Sequence, residues 1–151
     1  MIAKLKAIFA GEAETIGKDP EDKNLATAAL LIEAALSDED YSDTERETIS
    51  AILKRHFDLS DTDADTLVEE AEALQAGSDQ ILYFTRTIKD SFPIEDRVQV
   101  IEMLWEIAYA DGEICDYEAN LVRRICGLIY VSDVESGKAR KRVMQTIGIP
   151  N

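Results

Sequence analysis

Turn signals fall at helical intervals along this chain, and no stretch alternates as an exposed strand does. The segment "SDTERETISAILKRHF" opens with Ser42 and places Glu45 three residues later, the spacing of a capping box. Its apolar stripe is Ile49, Ile52, Leu53 and Phe57. "SDTDADTLVEEAEAL" starts a further helix at Ser60, with acids in the first turn where the helix dipole favours them. In "KDPEDKNLATAALLIEAALSD", Asp19 reads as a cap and Pro20 as a first helical residue. Leu25, Ala28, Ala29, Ile32, Ala35 and Leu36 mark one face of that helix. "SDQILYFTRTIKDSF" follows a stop at Gly77, and three more helical runs come after it: "PIEDRVQVIEMLWEIAYA", "DYEANLVRRICGLIY" and "SDVESGKARKRVMQTI". The pattern predicts an all-α fold, a compact bundle of about seven or eight helices with short loops. With 151 residues the chain suits one domain, 1–151.

Part of the chain matches another part. At an offset of 73, Asp111 falls on Asp38, Pro93 on Pro20, Leu104 on Leu31, Glu106 on Glu33 and Ala108 on Ala35. Asp116 falls on Asp43, Glu118 on Glu45 and Ile125 on Ile52. One residue of slippage later, "LSD" (59–61) meets "VSD" (131–133). The matches gather at helix starts and in the loop, where backbone geometry is most demanding. They predict an internal pseudo-two-fold repeat of three-helix units, about 20–72 and 93–145, joined by a helix near 78–91. Chance similarity between amphipathic helices is the alternative.

Charge narrows the partners. The net charge is −15, and residues 19–72 alone hold 17 acids against 4 bases, −13 of that total. The one basic cluster is "KARKR" at 138–142. Such a surface repels phosphate backbones, which argues against nucleic-acid binding. It attracts cations and basic partners; it also simply keeps a protein in solution. The longest apolar run, "LATAALLIEAAL", is broken by Glu33 and too short to span a bilayer. "MIAKLKAIFAG" lacks the features of a signal peptide and reads as a short amphipathic helix, packed on the body or touching a membrane surface. Cys115 and Cys126 form no disulfide framework, so reduced thiols in the cytoplasm are expected.

The acids crowd two interhelix loops. "SDEDYSDTE" carries Asp38, Glu39, Asp40, Asp43 and Glu45, and "DGEICDYE" carries Asp111, Glu113, Asp116 and Glu118. Neither is an EF-hand: counted from Asp38 or Asp111, the turn glycine and the clamping glutamate are both missing. Helix capping accounts for Asp43, Glu45, Asp116 and Glu118 without any ligand. It does not account for the surplus. Crowded carboxylates repel one another unless a cation sits among them. Oxygen-only donors suit Ca²⁺, Mg²⁺ or Mn²⁺. The candidate ligands are Asp38, Asp43, Glu45, Asp111, Asp116 and Glu118.

With "ADGEICDYE" set between an apolar helix and one beginning "ANLVRRI", the chain resembles the TerB-like family of tellurite-resistance proteins. The family pattern is an Ala-Asp-Gly loop, a hydrophobic residue two after the glycine and a Glu four after that. Here these are Ala110, Asp111, Gly112, Ile114 and Glu118. The likeness covers about 20–145, with "LSDEDYSDTE" as the earlier half-motif; that copy has Glu39 where the later one has Gly112. The resemblance implies a compact, largely cytoplasmic, all-helical bacterial domain associated with tellurite and other chemical stress. It also implies proposed metal-ion binding and membrane-associated partners, but no defined reaction. The N-terminal domain of membrane-anchored DnaJ-like co-chaperones is similar too, although this chain lacks the His-Pro-Asp tripeptide of a J-domain.

Other chemistry has thin support. His56 is the only histidine, so every Ser/His/Asp scheme would depend on it. Cys115 lies near an expected helix start, which lowers a thiol pKa, but its acidic neighbours raise it again. Cys126 falls on an apolar face, and Trp105, Tyr109, Tyr130, Phe57 and Phe84 are spaced as core residues. "GLIYVSDVESGK" lacks the spacing of a phosphate-binding loop. The expectation is a non-enzymatic protein that binds a divalent cation weakly. The alternative is an adaptor, needing no metal, whose acidic face docks a basic or membrane-associated partner.

Overall fold

The computed structural model describes residues 20–37, 42–75, 81–110 and 116–148. Among these, seven helices follow in order: α1 (Pro20–Ser37), α2 (Asp43–Phe57), α3 (Asp61–Gln75), α4 (Ile81–Ser91), α5 (Ile94–Ala108), α6 (Asp116–Ile129) and α7 (Asp133–Ile147). No strand occurs among the described residues. The expected N-terminal helix, the Asp19 cap and the Gly77 stop lie outside them. The chain divides into two compact units, Met1–Phe92 and Pro93–Asn151.

In the first unit α1 packs mainly on α3, then on α4 and α2. Every residue from Leu25 to Ala35 is buried, Thr27 and Glu33 included. The sequence reading of α1 as one apolar face is therefore corrected. Small alanines on all sides let three helices close around it, while Leu36, assigned to that face, is exposed. Thr27 Oγ1 donates to the Lys23 carbonyl at 2.9 Å, which disposes of a buried hydroxyl inside the helix. The Lys23 ammonium lies 5.9 Å from the Phe92 ring centre and ties the start of α1 to the end of α4. Between α2 and α3, Arg46 Nε reaches both Glu72 oxygens at 3.1 and 3.2 Å.

In the second unit α5 packs chiefly on α7 and then on α6. Val100, Ile101, Met103, Leu104, Trp105 and Ala108 give α5 its buried face. The Trp105 indole N–H donates to Ser136 Oγ on α7 at 3.1 Å, both groups being buried. The Arg140 guanidinium lies over the Trp105 and Tyr109 rings, at 5.2 and 5.7 Å from their centres, and its Nε donates to Tyr109 Oη at 2.6 Å. Arg142 pairs with Glu102 at 3.2 Å and links α7 back to α5.

The corners before α3 and α7 are built alike. Asp58 and Tyr130 both adopt left-handed backbone, at φ 54° and 59°. After each, the chain bonds back six residues' span: Leu59 N–H to the Lys54 carbonyl at 3.0 Å, and Val131 N–H to the Cys126 carbonyl at 2.9 Å. A serine then caps the next helix. Ser60 Oγ accepts from Asp63 N–H at 3.1 Å and Ser132 Oγ from Glu135 N–H at 3.2 Å. Arg97 adds a cation at the C-terminus of α6, donating to the Ile129 and Tyr130 carbonyls at 3.0 and 3.3 Å. Two further expectations need correction. Phe57 is only half-buried and Tyr130 is 69% exposed, because both stand where a helix turns outward into its corner.

Candidate functional site

The predicted acidic ligands stand at two helix starts. Ser42, in extended backbone, caps α2: its Oγ accepts from the Glu45 N–H at 3.2 Å. That satisfies one of the orphan amides every helix start leaves open. Asp43 is the first residue of α2 and exposed; Glu45 is the third and half-buried. Both sit in the first turn, where a carboxylate is favoured by the dipole. In the second unit Asp116 opens α6, and Glu118, third in that helix, is half-buried. Asp38 and Asp111 lie outside the described residues, as do Gly112 and Cys115. The structure thus brings Asp43 and Glu45 onto one turn, and Asp116 and Glu118 onto another.

Among the described residues no three of His, Cys, Asp and Glu converge as a metal-ligand set. The donors that are described are all carboxylates. Their chemistry fits a hard divalent ion, and such a site would have to draw its remaining oxygens from the preceding loops.

The remaining titratable groups are placed as follows. His56 lies half-buried in the last turn of α2 beside Lys54 and Arg55, at the helix end that favours positive charge. Cys126 is buried on α6; burial pushes its thiol up, against a smaller lowering by the Ser136 hydrogen bond. That is the environment of an inert core thiol. Phe84 is core, as its spacing predicts.

Residues 24–141 match the family model described as tellurite resistance protein TerB. The chain belongs to the TerB family. No match is found among curated proteins or among solved structures. The matched span of this TerB-family chain covers all seven described helices, in part or whole, and both acidic helix starts. No helix among the described residues is long and apolar enough to cross a membrane.

Sequence reasoning missed two features of this TerB-family chain. Glu33 is a buried carboxylate in the middle of α1; the sequence marks it only as the charge that interrupts an apolar run. The second is the corner after α6, where Tyr130 and Val134 stand exposed. From sequence Tyr130 pairs with Phe57 and reads as a core aromatic; only the corner geometry, with left-handed backbone at Asp58 and Tyr130, sets it beside Asp58 instead.

Proposed function

We propose that this TerB-family chain is a non-enzymatic, cytoplasmic chemical-stress protein, made of two copies of a three-helix unit, that holds a divalent cation weakly at its acidic helix starts. The observation that carries the reading is the paired placement of Asp43 with Glu45 and of Asp116 with Glu118. In each helix an Asp stands first and a Glu third, at the exit of a connection rich in acids. The Ser42 hydroxyl makes the cap bond in α2, so the exposed Asp43 is not the group that satisfies the Glu45 amide. A calcium, magnesium or manganese ion would relieve the repulsion among Asp38, Asp43 and Glu45, and among Asp111, Asp116 and Glu118. Helix spacing supports the duplication: α2 and α6 begin 73 residues apart, α3 and α7 begin 72 apart.

Titration of the labelled protein with calcium and then manganese tests the cation reading. Saturable shifts confined to amides around 38–45 and 111–118 are expected, and Asp43→Asn with Asp116→Asn should weaken them about tenfold, roughly 1.4 kcal/mol. No saturable change at millimolar ion would remove the idea.

The charge division favours a second reading. Met1–Phe92 carries 21 acids and 9 bases, net −12, whereas Pro93–Asn151 carries 10 and 7, net −3. Asp61, Asp63, Asp65 and Glu69 stand exposed along α3, the first two in its own first turn. Such a face docks a basic surface on a partner. Salt abolishes that binding and chelator does not.

A further inference from the structure

The corner between α6 and α7 exposes two apolar side chains, Tyr130 at 69% and Val134 at 66%. At the matching corner of the first unit, 72 residues earlier, stand Asp58 and Thr62, both polar and exposed. Left-handed backbone is an uncommon place for tyrosine and an ordinary one for aspartate. The backbone corner therefore does not ask for these apolar groups, and the chain does not bury them. Ile94, 42% exposed, lies one turn ahead of Arg97, whose guanidinium holds the Ile129 and Tyr130 carbonyls.

Acids and cations both frame these side chains: Asp133 and Glu135 flank Val134, and Glu135 lies 3.9 Å from Lys138. Val134, Lys138 and Lys141 follow one another at helical spacing on the exposed face of α7, and Arg123 and Arg124 are exposed on α6. Gly127 and Gly137 lie inside α6 and α7, and a Cβ added at either meets nothing within 4 Å. Glycine weakens a helix interior. Neither backbone angle nor packing within the chain requires one at these positions. A bare backbone at a helix surface lets a second helix come close.

The complementary surface is on the chain itself. Thr62, Asp65, Thr66, Glu69 and Ala73 share the exposed side of α3 at helical spacing. They are short or acidic throughout. We propose that α3 of a second copy docks on the α6–α7 corner, which makes the basic surface of the docking reading above a second molecule of this chain. Asp65 and Glu69 meet Lys138 and Lys141, the short side chains of α3 lie over the glycines, and Tyr130 and Val134 are covered. At about 0.15 M salt the screening length is about 8 Å, so the overall negative charge does not hold the copies apart. The contact is head-to-tail: each copy keeps one α3 and one corner, and assembly goes on unless a ring closes.

Sedimentation equilibrium of the full chain tests this. The mass of the wild type rises above the monomer between micromolar and millimolar concentration. Lys138→Glu with Lys141→Glu, or Asp65→Asn with Glu69→Gln, returns each variant to a monomer. An equal mixture of the two variants forms a particle of two chains and no more, because each supplies the one working surface the other lacks. Tyr130→Asn, which suits left-handed backbone, weakens association about tenfold, and its melting curve reports whether the fold is kept. A wild type that stays monomeric overturns the proposal, as do variants that associate like wild type or a mixture that stays monomeric. Binding of monomeric wild type to phosphatidylserine vesicles, lost with the two lysines, would make the corner a lipid site and overturn it too. The docking reading is scored separately, by salt-sensitive pull-down of a basic partner.

Discussion

Four positions compared between the two units, on the first, second and third helices of each, are filled differently. In the first unit they hold Ile32, Leu53, Ala64 and Val68, all buried and apolar. At sequence offsets of 73 on the first two helices and 72 on the third, the second unit has Trp105, Cys126, Ser136 and Arg140 in those places. The indole N–H donates to Ser136, the thiol shares that hydroxyl, and Arg140 lies over the ring. The first unit has hydrocarbon alone at these four positions. The other uses a larger ring opposite a small serine and must then satisfy the polar atoms it brings in. The comparison teaches that two corners built alike, each with a serine cap, can lead into helices whose buried residues differ in chemistry.

The sharpest way to break this comparison is to empty the ring's place. Trp105→Ala should cost about 3–5 kcal/mol, at the top of the range for core truncations. Trp105→Phe and Ser136→Ala should each cost about 1–3 kcal/mol: the serine change strands the buried indole N–H, and the phenylalanine removes one of the two groups bonded to Ser136 Oγ. Made together they should cost less than their sum. Chemical denaturation of the four proteins gives the cycle, and strict additivity would mean that the hydrogen bond does not couple the helices.

Next in size come the two caps. Ser60→Ala and Ser132→Ala should each cost about 1 kcal/mol, and by similar amounts. A loss at one corner only would show that the two corners are not held alike. Smallest is the thiol. Because burial raises the folded Cys126 pKa, the unfolded chain ionises first as pH rises. Stability from this group is complete below about pH 8.5 and falls above it. Cys126→Ala should flatten that alkaline decline relative to wild type, and alkylation of Cys126 should track unfolding.

Helix starts were legible because their signals are local. Ser42, Ser60 and Ser132 act over three residues, and all three accept the amide expected of a cap. Pro93 stands just before α5 rather than in its first turn, a shift of one residue. The burial of α1 was not legible, since alanines tolerate solvent and core alike. Nor was the Trp105–Ser136 bond, which joins residues 31 apart in sequence through the packing of α5 on α7. Phe57, Leu36 and Tyr130 were misread for one reason. Periodicity marks a face but cannot tell where that face runs off the end of a helix into solvent. Of the candidate ligands, Asp43, Glu45, Asp116 and Glu118 could be assigned to first turns from sequence. Whether they cooperate with Asp38 and Asp111 depends on loop paths that local patterns do not set.

The enclosure of α1 has a consequence for synthesis. Its eleven consecutive buried residues leave the ribosome before any of the helices that cover them, and α4 is completed only at Ser91. Until then the nascent chain displays its most apolar helix uncovered, which makes this segment a natural target for chaperones during translation.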